Sequence, residues 1–304
     1  MQFLMFPSTI AGIERQFLGD AMNHVKWCVF LWAACALALA QSPAGLGERV
    51  EARPNPTAQK VMTGTVAGVF ASPLAAGTAQ ADTVPGSTTY ALPQLAFGGG
   101  WYTALYISNP TDAAAAVSVN FVGNDGAPLS VPLIGIGPVS EQAINLAPRA
   151  TVILEAPDSG ALQQGWTQAT LASGLVCYGV FRQSISGRAD QEAVVPLGVA
   201  SSQIADLTWD DTAFTTAVAL VNTGDSAADI LIEVFASDGT SIGTTTVNLA
   251  GRGKTAFVLR EQPGLVGMTS KRGFARFSVT SGSLAVLGLR FGGSAFTSIP
   301  VTYR

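Results

Sequence analysis

The sequence predicts an all-β protein: two tandem β-sandwich domains behind an export signal and a flexible spacer. Three observations carry the prediction. Apolar and polar residues alternate at period two through most of residues 89–304, as they do in half-buried strands. A block of about 26 residues recurs 113 positions further on. Helical periodicity is absent, apart from one turn expected at residues 263–268.

Composition narrows the class before any element is placed. The chain has 304 residues, of which 48% are hydrophobic and only 12% charged, and its net charge is −4. Average soluble chains carry about 25% charged residues. High hydrophobicity with little net charge excludes disorder for most of the chain. An acidic balance without a basic stripe excludes a nucleic-acid partner, which needs positive charge against phosphates.

From Met22 the chain reads as an export signal. A short basic stretch is followed by the apolar residues 27–40 (WCVFLWAACALALA), ending in Ala38-Leu39-Ala40, an A-x-A cleavage site. The run is too short to cross about 30 Å of hydrocarbon as a permanent helix. Residues 1–21 carry Glu14, Arg15 and Asp20 and do not read as part of a signal, so a mis-called start is expected, with translation beginning at Met22. Cys35 sits in a poor lipobox, because Trp32 stands where leucine is wanted. Cleavage near Ala40 removes His24, Cys28 and Cys35, leaving a mature chain with Cys177 and no histidine. The expected destination is the periplasm or the medium, with no stable membrane span in the mature chain. Residues 41–88 are rich in Pro, Ala, Gly and Thr and read as a mobile spacer, within which residues 60–71 could add an edge strand.

Two domains follow, at residues 89–200 and 201–304. Residues 101–126 (WYTALYISNPTDAAAAVSVNFVGNDG) align without gaps on residues 214–239 (FTTAVALVNTGDSAADILIEVFASDG). Thr103/Thr216, Ala104/Ala217, Asn109/Asn222, Asp112/Asp225, Asp125/Asp238 and Gly126/Gly239 are identical. The match resumes at INLAPR against VNLAGR, and again at Tyr178-Gly179-Val180 against Leu287-Gly288-Leu289 and Val195-Pro196 against Ile299-Pro300. Three blocks in one order, twice, read as a duplication. Val117, Val119 and Phe121 alternate inward, as do Ile230, Ile232 and Val234. Asp125-Gly126 and Asp238-Gly239 are hairpin signals, and Asn109-Pro110 and Asn222-Thr223-Gly224 close the second strand. Further runs at residues 151–155, 166–171 and 175–182 give about seven short strands per 100 residues, which is sandwich spacing.

The blocks FGGGWYTALYISNP, INLAPRATVILEAP, YGVFRQSISGRADQEAVVPL and LGLRFGGSAFTSIP resemble tandem immunoglobulin-like β-sandwich modules of uncharacterised secreted bacterial proteins. The resemblance covers about residues 90–304. It implies an immunoglobulin-like or fibronectin-like fold and an extracellular compartment, and it brings no catalytic residues.

The chemistry left to the mature chain is sparse. Without histidine there is no Ser-His-Asp or Cys-His nucleophile and no ordinary zinc site. Cys177 reads as a small buried hydrophobe. Asp190 and Glu192 are two apart and could converge as a carboxylate pair, although loop carboxylates are usually solvated. Asp206, Asp210 and Asp211 cluster in DLTWDD as a candidate calcium site, the only cofactor considered. The glycines at 98–100 and 292–293 match no phosphate-binding fingerprint. Trp101, Tyr102, Tyr106, Trp166 and Trp209 are candidates for an exposed aromatic platform, with core packing favoured for Trp101 and Trp166. Alternation puts Tyr102 and Tyr106 on one face with Ala104, and these two are the candidate ligand-binding residues. The expected function is non-enzymatic: adhesion, scaffolding or another interaction with a protein or polysaccharide at the cell surface. The alternative is an extracellular carbohydrate-binding protein. A small outer-membrane barrel is disfavoured, because the duplication predicts two closed cores.

Overall fold

The computed structural model describes residues 86–293 and 295–304. The start at Met22, the signal, its cleavage site, His24, Cys28, Cys35 and the spacer up to residue 85 lie outside the described residues.

The first half contributes β1 (Ser87–Phe97), β2 (Trp101–Ser108), β3 (Ala115–Gly123), β4 (Val131–Leu133), β5 (Gly137–Val139), β6 (Glu141–Leu146), β7 (Thr151–Ala156), β8 (Gln163–Ala172), β9 (Val176–Gln183), β10 (Gln191–Val195) and β11 (Gly198–Val199). The second contributes β12 (Ile204–Asp210), β13 (Thr215–Asn222), β14 (Ala228–Ala236), β15 (Ser241–Leu249), β16 (Lys254–Val258), β17 (Arg272–Val279), β18 (Leu284–Gly292), β19 (Ala295–Ile299) and β20 (Val301–Tyr303). The turn expected near residues 263–268 is present as a short 3-10 segment at Val266–Met268, preceded by another at Leu259–Glu261. The first strand begins at Ser87, two residues inside the stretch read as spacer.

The strands form four antiparallel sheets and a small hairpin of β4 and β5. Sheet I runs β11-β1-β8-β3-β6 and sheet II β10-β9-β2-β7; sheet III runs β15-β14-β17-β12-β20 and sheet IV β16-β13-β18-β19. Strand for strand, sheet III has the order of sheet I and sheet IV the order of sheet II. No ladder joins the halves near residue 200: β11 pairs with β1, whereas β12 pairs with β17 and β20.

This order departs from the immunoglobulin arrangement that the resemblance implies. There the first strand sits beside the second, and the seventh beside the sixth. Here β1 pairs with β8, and β9 pairs with β2. The expectation of an all-β chain holds, but the finer strand order differs, because period-two patterning says which face of a strand is buried and not which neighbour it takes.

Within each half the two sheets face one another across an apolar core. Leu92, Val119 and Phe121 of sheet I meet Leu105, Ile107 and Phe181 of sheet II. Leu207, Ile230, Ile232 and Phe277 of sheet III meet Val218, Leu220 and Val286 of sheet IV. The two closed cores expected from the sequence are not what forms. Ala219, Leu287, Leu289 and Phe296 of the second half belong to the first half's core. A third cluster joins Ala91, Val122 and Trp166 to Val221 and Ala285.

The residues identical in the two halves do the same structural work. Asn109 Nδ2 donates to the carbonyls of Ala113, Leu146 and Ala147 at 2.7–3.1 Å. Asn222 Nδ2 donates to Ser226, Leu249 and Ala250 at 2.7–3.3 Å. Each side chain is buried and ties the strand end to the loop that follows it, satisfying carbonyls that no ladder reaches. Asp112 and Asp225 pair with Arg149 and Arg252, which share the left-handed backbone at φ 60° and 59°. Asp125 and Asp238 accept the backbone N–H two residues on, and Gly126 and Gly239 follow at φ 85° and 84°. That conformation costs glycine least.

Candidate interaction surface

Tyr102 and Tyr106 point to the outer face of sheet II, on the side away from sheet I, as the alternation predicts. The register lays out this face in rows about 7 Å apart. One row carries Ile153, Tyr106 and Tyr178; the next carries Glu155, Ala104, Val180 and Val194; the next carries Tyr102, Arg182 and Glu192. Ala104 is fully covered between the two tyrosines.

Each ring already has a partner. Tyr106 stacks on Tyr178 with centroids 5.0 Å apart and planes 8° apart. The Arg182 guanidinium lies 4.6 Å over the Tyr102 ring, a cation–π arrangement. The Tyr102 hydroxyl donates to Glu155 Oε1 at 2.5 Å. Partial burial, followed by the hydrogen bond to Glu155, pushes the Tyr102 phenol well above its ordinary range. Partial burial and the neighbouring Tyr178 raise Tyr106 as well.

Around these rings sits an unusual concentration of exposed apolar side chains. Val176 is 54% exposed, Val194 45%, Ile153 44% and Tyr178 39%. Singly exposed hydrophobes need no explanation, but four on one sheet face form a patch of the kind that marks an interaction site.

The same face of sheet IV is chemically different and is buried along its two central strands. In place of Tyr102, Tyr106, Tyr178 and Val180 it carries Thr215, Ala219, Leu287 and Leu289. Ala217, Ala219, Val221, Ala285, Leu287 and Leu289 are all buried, so β13 is enclosed on both sides. The cover is the first half itself. Phe296 projects from β19 into its open end, stacking on Phe181 at 5.3 Å and lying 6.1 Å from Trp101. Trp166 Nε1 donates to the Arg252 carbonyl at 2.8 Å, and Arg252 Nη2 donates to Gln168 at 3.0 Å. Lys254 N donates to the Asn124 carbonyl at 2.9 Å.

The other sequence candidates are placed elsewhere. Asp206, Asp210 and Asp211 are not brought together. Asp206 takes two hydrogen bonds from Arg276 and an ion pair from Arg304, and the Arg276 bonds hold its carboxyl below the usual range. Asp210 is held low by the hydroxyl and backbone N–H of Thr212. Asp211 is buried, binding Arg260 at 3.1 Å and the Thr216 N–H at 2.9 Å. Among the described residues no three His, Cys, Asp or Glu side chains gather as a metal site. Asp190 lies 3.5 Å from Arg182, while Glu192 is exposed at the edge of the tyrosine face. Trp166 and Trp209 are core residues at 0% and 3% exposure, so neither serves a surface platform. Cys177 is buried in the first core, and desolvation raises its thiol to about 12.

Sequence reading missed Tyr178, Ile153 and Val194, which complete the patch. The signal was present for Tyr178, which alternates with Cys177 on a strand where the cysteine reads as buried. No helix among the described residues is long and apolar enough to cross a membrane. Comparison with known proteins finds no matching family model, no matching curated protein and no matching solved structure.

Proposed function

We propose that the chain is a secreted, non-enzymatic interaction protein for adhesion or scaffolding, built from two copies of one β-sandwich module. Its contact surface is the outer face of sheet II. One observation carries the reading: the face that the second half uses for its contact with the first is left open in the first half, where it displays tyrosine, isoleucine and valine. The matching strand orders support two copies of one module. The pattern ending at Ala40 supports export. A polysaccharide ligand is less well supported, because sugar stacking needs a free ring face and Tyr102 and Tyr106 each have one face occupied.

The test is retention of fluorescently labelled full-length chain on intact cells of the source organism, beside a panel of cellulose, xylan, chitin and β-glucan. Retention that falls at least about tenfold in Tyr106→Glu is expected, since a charge in the patch centre desolvates poorly. Retention unchanged in Tyr106→Glu overturns the reading. Tyr106-dependent binding to one polysaccharide transfers the face to carbohydrate recognition.

A further inference from the structure

We infer that the exposed face of sheet II is the seat for a second copy of this chain, packed head to tail. The inference rests on the interaction reading above and names its partner. Inside one chain, the outer face of sheet IV docks on the first half's open end, where Phe181 and Trp101 receive Phe296. Sheet II is the counterpart of sheet IV, and the second half is the counterpart of the first. One chain therefore carries one joined pair of surfaces and one unjoined pair: the sheet II face, and the open end of the second half.

That open end is a real cleft. It has a volume of about 720 Å³ and is lined by Trp209, Asp210, Arg272, Phe274, Arg290 and Ile299. Register makes it the counterpart of the seat that holds Phe296, with Arg290 at the position of Phe181, and the internal alignment puts Phe214 at that of Trp101. On the opposite surface, Glu192 pairs with Arg182 as Phe296 pairs with Phe291, so Glu192 occupies the position of Phe296.

The ring-on-ring contact inside the chain thus becomes Glu192 of one copy against Arg290 of the next. The charges are opposite and both side chains are exposed in the single chain. A second correspondence has the same sense. Arg252 lies 5.9 Å over the Trp166 ring within the chain. The equivalent pair between copies is Arg149 and Phe274, again a cation over an aromatic ring. Arg276, which stands where Gln168 bonds Arg252, is already neutralised by Asp206 at 2.8 and 3.0 Å. Because the two surfaces differ, each copy offers one of each, and the contact is heterologous. It extends into an open filament or closes into a ring according to the rotation between copies.

The experiment is sedimentation velocity of the full-length chain over a wide concentration range. Wild type is expected to form a concentration-dependent series of species. Glu192→Arg and Arg290→Glu are each expected to weaken association at least tenfold, roughly the effect of setting like charges face to face. The double variant E192R/R290E, and an equimolar mixture of the two single variants, are expected to recover it. Circular dichroism checks that all variants keep the wild-type fold. A wild type that stays monomeric throughout overturns the inference, as do single variants that associate normally. Loss in E192R with full association in R290E also overturns it, in favour of a symmetric pairing through the tyrosine face. A monomeric chain whose cell retention still depends on Tyr106 defeats only the head-to-tail partner. An assembling chain that cells do not retain defeats only the surface-interaction reading.

Discussion

Sheets II and IV share strand order and register, yet one faces open space and the other lies inside the molecule. Where the contact is made, the face is built from alanine, valine and leucine, with Phe291 and Phe296 at one end and Lys254 enclosed at the other. Where no contact is made within the chain, tyrosine and charged side chains stand at the same positions: Tyr102, Tyr106, Tyr178, Arg182 and Glu192. Small residues let two sheets approach closely and bury continuous apolar area. Tyrosine is tolerated at an exposed face because its hydroxyl stays solvated or hydrogen-bonded, and it still offers area to a partner.

This contrast can be broken most sharply at its anchor. Phe296→Ala removes a ring packed against the stacked pair Trp101 and Phe181 and should cost about 3–5 kcal/mol in urea unfolding. Glu192→Ala, at the matching position of sheet II, should stay within about 0.5 kcal/mol. Equal effects would mean that the sheet IV face contributes no more to stability than the exposed one. Leu287→Ala should cost about 2–4 kcal/mol, whereas Tyr178→Ala at the matching position should cost about 1 kcal/mol or less in the same assay.

Lys254 tests electrostatics at the join. Desolvation lowers the Lys254 ammonium to about 7, against about 10.4 in an unfolded chain. Between these values the unfolded state binds more protons at this group, so the Lys254 contribution to stability should rise with pH by at most about 1.4 kcal/mol per pH unit, opposed above about pH 8.5 by the raised Cys177 thiol. Lys254→Met should remove that slope, and thermal unfolding of both proteins from about pH 6.5 to about pH 10 measures the difference. The smallest effect is expected at Cys177, whose counterpart in the second half is the buried Val286. Cys177→Val should change stability by less than about 1 kcal/mol, and the native thiol should react with a disulfide reagent only after unfolding.

Much of the architecture was legible. Period-two alternation placed the strands and the shared face of Tyr102 and Tyr106, because a strand side chain has only two directions available. The internal match pointed to Asn109 and Asn222, Asp125 and Asp238, all of which hold turns. Strand neighbours were not legible, since alternation carries no information about pairing partner. The covered face of sheet IV does leave a trace: β13 reads TTAVALVN, nearly continuous apolar sequence, which is the pattern of a strand buried on both sides. The aspartates of DLTWDD misled because sequence proximity cannot show that Arg276, Arg304, Thr212 and Arg260 occupy them separately.

Enclosure of β13 on both sides has a consequence for the order of assembly. Synthesis delivers the first half before Phe296 exists, so the stacked pair Trp101 and Phe181 stays without its third ring while most of the second half is made. The ring cluster is completed only when β19, Ala295–Ile299, arrives. Completion of the first half's core therefore waits for late strands of the second half, and the molecule should melt in one cooperative step, with neither half surviving alone.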